Sequence, residues 1–185
     1  QIISIAARSQ EESNDKLALI GCYKAIYTTK IPANYIGNYP ADRISSSELI
    51  KTQFTEPNQE KNIQSSIVKA YSINDKISKI VQNMYEENPY PRFKCTNFTD
   101  QKIRNPIFKY IENETSKKNL PFSVQLKSST SEPKVLIAGC GTGSQVIQAS
   151  RYVNAQIVAI DLSSSSLAYA IRKTKEYEMK NMDNE

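Results

Sequence analysis

Two short apolar runs organise the chain, Val135-Leu136-Ile137-Ala138 and Ile157-Val158-Ala159-Ile160. The first drives into the turn Gly139-Cys140-Gly141-Thr142-Gly143, a helical segment follows, and the second run ends on Asp161. The pattern predicts a strand, a tight turn, a helix and a second parallel strand with a carboxylate at its C-terminal end.

Upstream the periodicity is helical. Leu19, Cys22, Tyr23, Ile26 and Tyr27 recur at helical spacing and predict a helix over 13–29, with Gly21 as a weak point. The stretch 28–47, with Pro32, Gly37 and Pro40, reads as loop, and a short helix is expected over 48–54. Pro57 suits the first turn of a further helix with Ile63, Ile67, Ala70 and Tyr71 on its apolar side. The clearest upstream helix covers 74–85, where Ile73, Ile77, Ile80, Val81 and Met84 form one stripe. It must stop at Asn88-Pro89-Tyr90-Pro91, because each proline disfavours helix in the residue before it. Asn105-Pro106 predicts the cap and first position of a short helix whose face carries Ile107, Tyr110 and Ile111. Residues 116–133, rich in Ser, Lys and Thr, read as a linker. The organisation expected is a helical region over 1–115, this linker, and a nucleotide-binding stretch over 134–185. Two parallel strands cannot cover both faces of a sheet, so that stretch is expected to be the first part of a larger domain in a longer protein.

Composition alters this picture mainly by exclusion. The net charge of +5 is spread thinly: residues 133–185 hold six Lys/Arg against five Asp/Glu, and residues 1–132 hold eighteen against fourteen. No basic run results, so a nucleic-acid partner is not indicated. The sequence has no histidine, which removes the commonest general base, the usual triads and most transition-metal sites; no metal is expected. Cys22, Cys95 and Cys140 make neither a disulfide framework nor a zinc spacing, which fits a reducing, cytoplasmic setting. No apolar stretch approaches a membrane span, and no membrane association is expected.

The glycine turn and Asp161 carry the chemistry. Glycines let the backbone bend sharply after the strand and approach a ligand with no Cβ in the way. Backbone N–H groups near Thr142 to Gln145 can face a polar or anionic group, and the two oxygens of Asp161 can accept both hydroxyls of a ribose. A dinucleotide fingerprint needs Gly or Ala at the third position, where this chain has Ser144, and that disfavours a nicotinamide or flavin oxidoreductase.

The glycines at 139, 141 and 143 are the pattern of class I S-adenosylmethionine-dependent methyltransferases. VLIAGCGTG, followed by IVAIDLSSSSLAYAIRKT, resembles the first cofactor motif and partner strand of a bacterial group of these enzymes that often carries tetratricopeptide repeats upstream. Tyr85 to Phe93, YEENPYPRF, resembles the YEENPYPRW box of the same group. The matches cover roughly residues 60–178. The resemblance implies an α/β, Rossmann-like fold, here with its first two β-α units only, preceded by a mostly helical region. It implies S-adenosyl-L-methionine as cofactor and an unidentified methyl acceptor, protein or small molecule. It also implies cofactor contacts at Ala138, Gly139, Cys140, Gly141, Thr142, Gly143, Asp161 and Leu162, with Asp161 on the ribose and Leu162 beside the adenine. Many methyltransferases place an acidic residue two positions before the first glycine to hold the methionine amine. Ile137 stands there in this chain, so the amine would rest on backbone carbonyls, water or another residue.

The box has two readings. Its prolines can simply end the helix while Tyr90 and Phe93 pack as an anchor. Alternatively Tyr85, Tyr90 and Arg92 form a lid over cofactor or substrate, with Arg92 pairing with the cofactor carboxylate. The NPPY-type loop of amino-methyltransferases is a poorer match, because the spelling is Asn-Pro-Tyr-Pro and an amphipathic helix precedes it. Ser163 to Ser166 supply a helix N-cap rather than a catalytic serine, and Cys140 is a small residue within the turn. The alternative from another class is a non-catalytic interaction protein with a degenerate or ligand-sensing nucleotide fold.

Overall fold

The computed structural model describes residues 17, 19–30, 48–69, 72–95, 104–119, 132–153 and 155–182, with 178–182 as backbone alone. The chain divides into two compact units, Gln1–Asn62 and Ile63–Glu185.

In the first unit, residues 17 and 19–23 are helical and a 3-10 turn follows at Ile26–Thr28. The helix predicted over 13–29 therefore stops at Tyr23, and residues 13–16 lie outside the described ones. Gln53 explains the break. Its side-chain amide donates to the Gly21 carbonyl at 3.0 Å and its oxygen accepts the Ile26 N–H at 3.2 Å, replacing the partners a further helical turn would supply. Leu17 and Ile26 form the buried centre, with Leu49, Ile50 and Phe54 packed against them. Of the predicted apolar face only Ile26 is inside; Leu19, Cys22, Tyr23 and Tyr27 are exposed, and the Lys61 ammonium lies over the Tyr27 ring at 5.0 Å.

Residues 48–50 open a helix that widens into a π turn at Lys51–Thr55 and continues as α1 (Glu56–Ser66). Pro57 is the second residue of α1, in its first turn as predicted, although the π turn runs straight into that helix. Proline has no N–H to donate and its ring crowds the carbonyl four residues back. The wider turn, in which Glu56 N–H reaches the Lys51 carbonyl, accommodates it. Helix α1 ends at Ser66, before Ile67; Ala70 and Tyr71, also assigned to its apolar side, lie outside the described residues.

In the second unit, α2 (Lys76–Glu87) starts on Asp75, whose carboxylate accepts the Ser78 N–H at 2.7 Å, and stops at Asn88 as the prolines require. Its apolar stripe does not face a core: Ile77 is 71% exposed, Ile80 60% and Met84 53%. The polar side of the helix makes the contacts instead. Helix α3 (Ile107–Lys117) is capped by Pro106, one residue later than predicted, because Asn105 is pulled into a parallel bridge with Tyr152, donating to the Arg151 carbonyl and accepting from Val153. Tyr110 meets Tyr152 edge-on at 5.3 Å. Helix α3 takes in the first residues assigned to the linker, and 120–131 lie outside the described residues.

Strands β1 (Lys134–Ala138) and β2 (Gln156–Ile160) pair in parallel, with Val135 opposite Ile157 and Ile137 opposite Ala159. These four side chains are half-buried, while Leu136, Val158 and Ile160 are exposed on the other face. Helix α4 (Ser144–Ala149) packs on β2, and α5 (Ser164–Met182) packs on α4 and α2. Ala168, Tyr169, Ala170, Arg172, Lys173 and Tyr177 of α5 are buried.

Gly143 fixes the approach of the glycine turn to α5. Its φ is 90°, and a Cβ there would lie 2.6 Å from the Ala170 Cβ. Replacing Gly143 with Ala is expected to cost about 1–3 kcal/mol through overpacking alone. Gly139→Ala meets nothing within 4 Å and carries only the backbone penalty of its φ of 67°, about 1 kcal/mol. Thermal unfolding of the two variants checks the order: Gly143→Ala should melt lower.

Candidate functional site

The site forms at the C-terminal ends of β1 and β2. The Cys140 N–H donates to the Ile160 carbonyl at 3.1 Å, which carries the sheet ladder into the turn. Gly139, Gly141 and Gly143 all have positive φ, a conformation other residues adopt only with strain. Asp161 then joins the two strand ends. One oxygen accepts the Gly141 N–H at 2.8 Å and the other accepts the Ser163 N–H at 2.9 Å. A carboxylate oxygen has two acceptor sites, so each keeps one for a further donor.

The predicted cofactor residues separate into two groups. Ala138, Gly139 and Leu162 are exposed, Gly141 and Asp161 are half-buried, and a Cβ at Gly139 or Gly141 would meet nothing within 4 Å. Cys140, Thr142 and Gly143 are buried. Gly143 lies against Ala170, and the Thr142 hydroxyl donates to the Pro91 carbonyl at 2.6 Å. The open side of the turn is therefore at Gly139 and Gly141, beside Asp161, while the other three residues hold the turn in place. Ser163 caps α5 as expected, its hydroxyl accepting the Ser166 N–H at 3.0 Å.

The Thr142–Pro91 bond sets the upstream box against the glycine turn. Phe93 anchors it: its N–H donates to the Tyr169 hydroxyl at 2.9 Å, that hydroxyl donates back to the Phe93 carbonyl at 2.8 Å, and the rings meet edge-on at 5.6 Å. The Lys173 ammonium donates to the Lys94 carbonyl at 3.1 Å and to Glu176 at 3.0 Å. Arg92 lies over the Tyr169 ring at 5.1 Å, with Arg172 at 4.9 Å from the same ring. Tyr90 is 73% exposed, so the packing anchor is Phe93 and not Tyr90. Tyr85 is half-buried on α2.

Three residues escaped sequence reasoning. Glu86 reaches the start of α5 and accepts the Ser164 N–H at 2.9 Å, the Ser164 hydroxyl at 2.8 Å and the Ser165 N–H at 2.8 Å. Gln64 donates to Glu86 at 3.2 Å and to the Ser164 and Ser165 hydroxyls at 2.9 and 3.0 Å. Gln82 donates to the Leu162 carbonyl at 2.7 Å. Glu86 falls within the Tyr85–Phe93 box but was given no role there; it and Gln82 lie on the side of α2 opposite the apolar stripe, which ordinarily means solvent, and nothing in the sequence singled out Gln64.

Electrostatics follow this geometry. Burial pushes the Glu86 carboxyl up, but the hydrogen bonds from Ser165 and Ser164 outweigh it and hold the group below its ordinary range. Burial pushes the Cys140 thiol up to about 11, and the negative charge of Asp161 adds to this. Among the described residues no group of three or more His, Cys, Asp or Glu side chains could hold a metal ion, and no helix is long and apolar enough to cross a membrane.

Residues 135–184 match a family model described as a methyltransferase domain, about a quarter of the chain. The match supports a methyltransferase domain with a Rossmann-like fold for that segment, and a two-stranded parallel sheet with flanking helices is compatible with an incomplete fold of this kind. Members of that family generally use S-adenosylmethionine. No curated protein and no solved structure matches the chain.

Two measurements check the electrostatics. A thiol near 11 has a thiolate fraction about 300-fold below that of an ordinary cysteine near 8.5, so at neutral pH iodoacetamide should modify Cys140 on the order of 100-fold more slowly than a cysteine peptide. The exposed Cys22 and Cys95 should react first. Because the Glu86 pKa is depressed by folding, its contribution to stability is complete above the ordinary glutamate range and is lost as pH falls through the lower folded value. Carbon-detected NMR titration should find the Glu86 carboxyl titrating below a reference glutamate, and Glu86→Gln should flatten the acid limb of the stability profile.

Proposed function

We propose that this chain carries the cofactor-binding part of an S-adenosylmethionine-dependent methyltransferase. The observation that carries the reading is the open space at Gly139 and Gly141, where a side chain would meet no protein atom, beside a carboxylate that bonds Gly141 and has acceptor capacity to spare. That arrangement suits a cofactor with a ribose. Asp161 would hold the ribose hydroxyls, Gly139 and Gly141 would let the backbone lie close to the ligand, and Leu162, 42% exposed, would present an apolar surface to the adenine. When bound, the cofactor supplies an activated methyl group on its sulfonium, so the chain's task is to bind and orient. The exposed Tyr90 and Arg92, placed beside the turn by the Thr142–Pro91 bond, are the lid residues of this reading. The acceptor is a protein or small molecule.

Calorimetry with S-adenosylhomocysteine against NADH tests this. S-adenosylhomocysteine should bind and NADH should not, and Asp161→Asn should weaken binding by about 10–100-fold, the loss of charge-assisted hydrogen bonds. Tighter binding of NADH would sink the methyltransferase reading in favour of an oxidoreductase. Binding of S-adenosylhomocysteine with no methyl transfer by the full-length protein would favour a sensing role.

A further inference from the structure

Apart from the lid residues, the residues that would touch the cofactor lie within 138–162, yet the turn that carries them is held from upstream. The N-terminus of α5 follows Asp161 by three residues, and its first backbone N–H groups have no partner within the helix. Glu86 of α2 accepts two of them, from Ser164 and Ser165, one on each carboxylate oxygen. A carboxylate at a helix N-terminus is also favoured by the helix dipole. Gln64 donates to the same carboxylate and to both serine hydroxyls, and Gln82 holds the Leu162 carbonyl. The short segment Asp161-Leu162-Ser163 is thereby fixed at Leu162 and immediately after Ser163 by residues of the upstream helices.

The geometry points to Glu86 as a positioning residue for the cofactor: it fixes the start of α5 so that Asp161 keeps one oxygen on Gly141 and one on Ser163, each with its second acceptor site turned to the ligand. The inference rests on the cofactor reading above and extends it to a residue outside the matched stretch 135–184. Glu86 acts through Asp161 and touches no ligand itself. Without it the amides of Ser164 and Ser165 lose their acceptor, the 161–163 turn gains freedom, and the Gly141–Asp161 bond that closes the glycine turn weakens.

Amide hydrogen exchange and S-adenosylhomocysteine calorimetry on the full chain test this together, with Glu86→Ala, Glu86→Gln and Asp75→Ala. Asp75 caps the other end of the same helix and serves as the control for α2 stability. Glu86→Ala should speed exchange at Gly141 and Ser163 and weaken S-adenosylhomocysteine by about tenfold. Glu86→Gln keeps one acceptor oxygen and should fall between, and Asp75→Ala should leave both readouts unchanged. In a double-mutant cycle, Glu86→Ala should cost little once Asp161 is Asn, because the two act in series. Unchanged exchange at Gly141 and Ser163, or losses that simply add, would overturn the positioning role. Failure of the unsubstituted chain to bind S-adenosylhomocysteine would overturn the cofactor reading first, and this inference with it.

Discussion

The Asp161 carboxylate is the joint on which the second unit depends. It stands where β2 ends, and it accepts one backbone N–H from the glycine turn after β1 and one from the turn that opens α5. The glycine turn, twenty residues upstream, and the segment that opens α5 thus converge on one side chain. The turn could not reach it otherwise shaped: Gly139, Gly141 and Gly143 all have positive φ, and Gly143 also lies where any Cβ would strike Ala170. The same compactness sets the state of Cys140, whose thiol is buried beside that negative charge and stays protonated at neutral pH.

Much of this was legible in the sequence, and the parts that were not share a cause. Local signals read correctly: the two apolar runs are parallel strands, the glycine spacing is a turn of positive φ, Ser163 caps α5, and two prolines end α2. Each depends on a few adjacent residues. The misreadings arose where a distant side chain replaced a local partner. Gln53 takes the backbone groups that would have continued the first helix past Tyr23. The bridge to Tyr152 moves the cap of α3 from Asn105 to Pro106. Pro57 does stand in the first turn of α1, but the π turn that leads into it, Lys51–Thr55, has no such local signal. In the site, spacing brought out the glycines and Asp161 but could not separate the open Gly139 and Gly141 from the packed Gly143, since that depends on Ala170.

Helix α2 shows the largest departure, and its physics explains why pattern failed there. Periodic apolar residues predict a buried stripe because burial of apolar area is the usual drive for helix docking. Here Ile77, Ile80 and Met84 are exposed, and the helix meets α5 through Glu86 and the segment just before α5 through Gln82. A polar interface of this kind is stable only when every group taken from water finds a partner. That condition is met at Glu86, which accepts from Ser164 N–H, Ser164 hydroxyl, Ser165 N–H and Gln64. An apolar residue at position 86 would stand opposite the apolar stripe and leave the first amides of α5 without an acceptor. The pairing of α2 with α5 is thus set by the unmet hydrogen-bond demand of a helix terminus, a demand that hydrophobic periodicity does not encode.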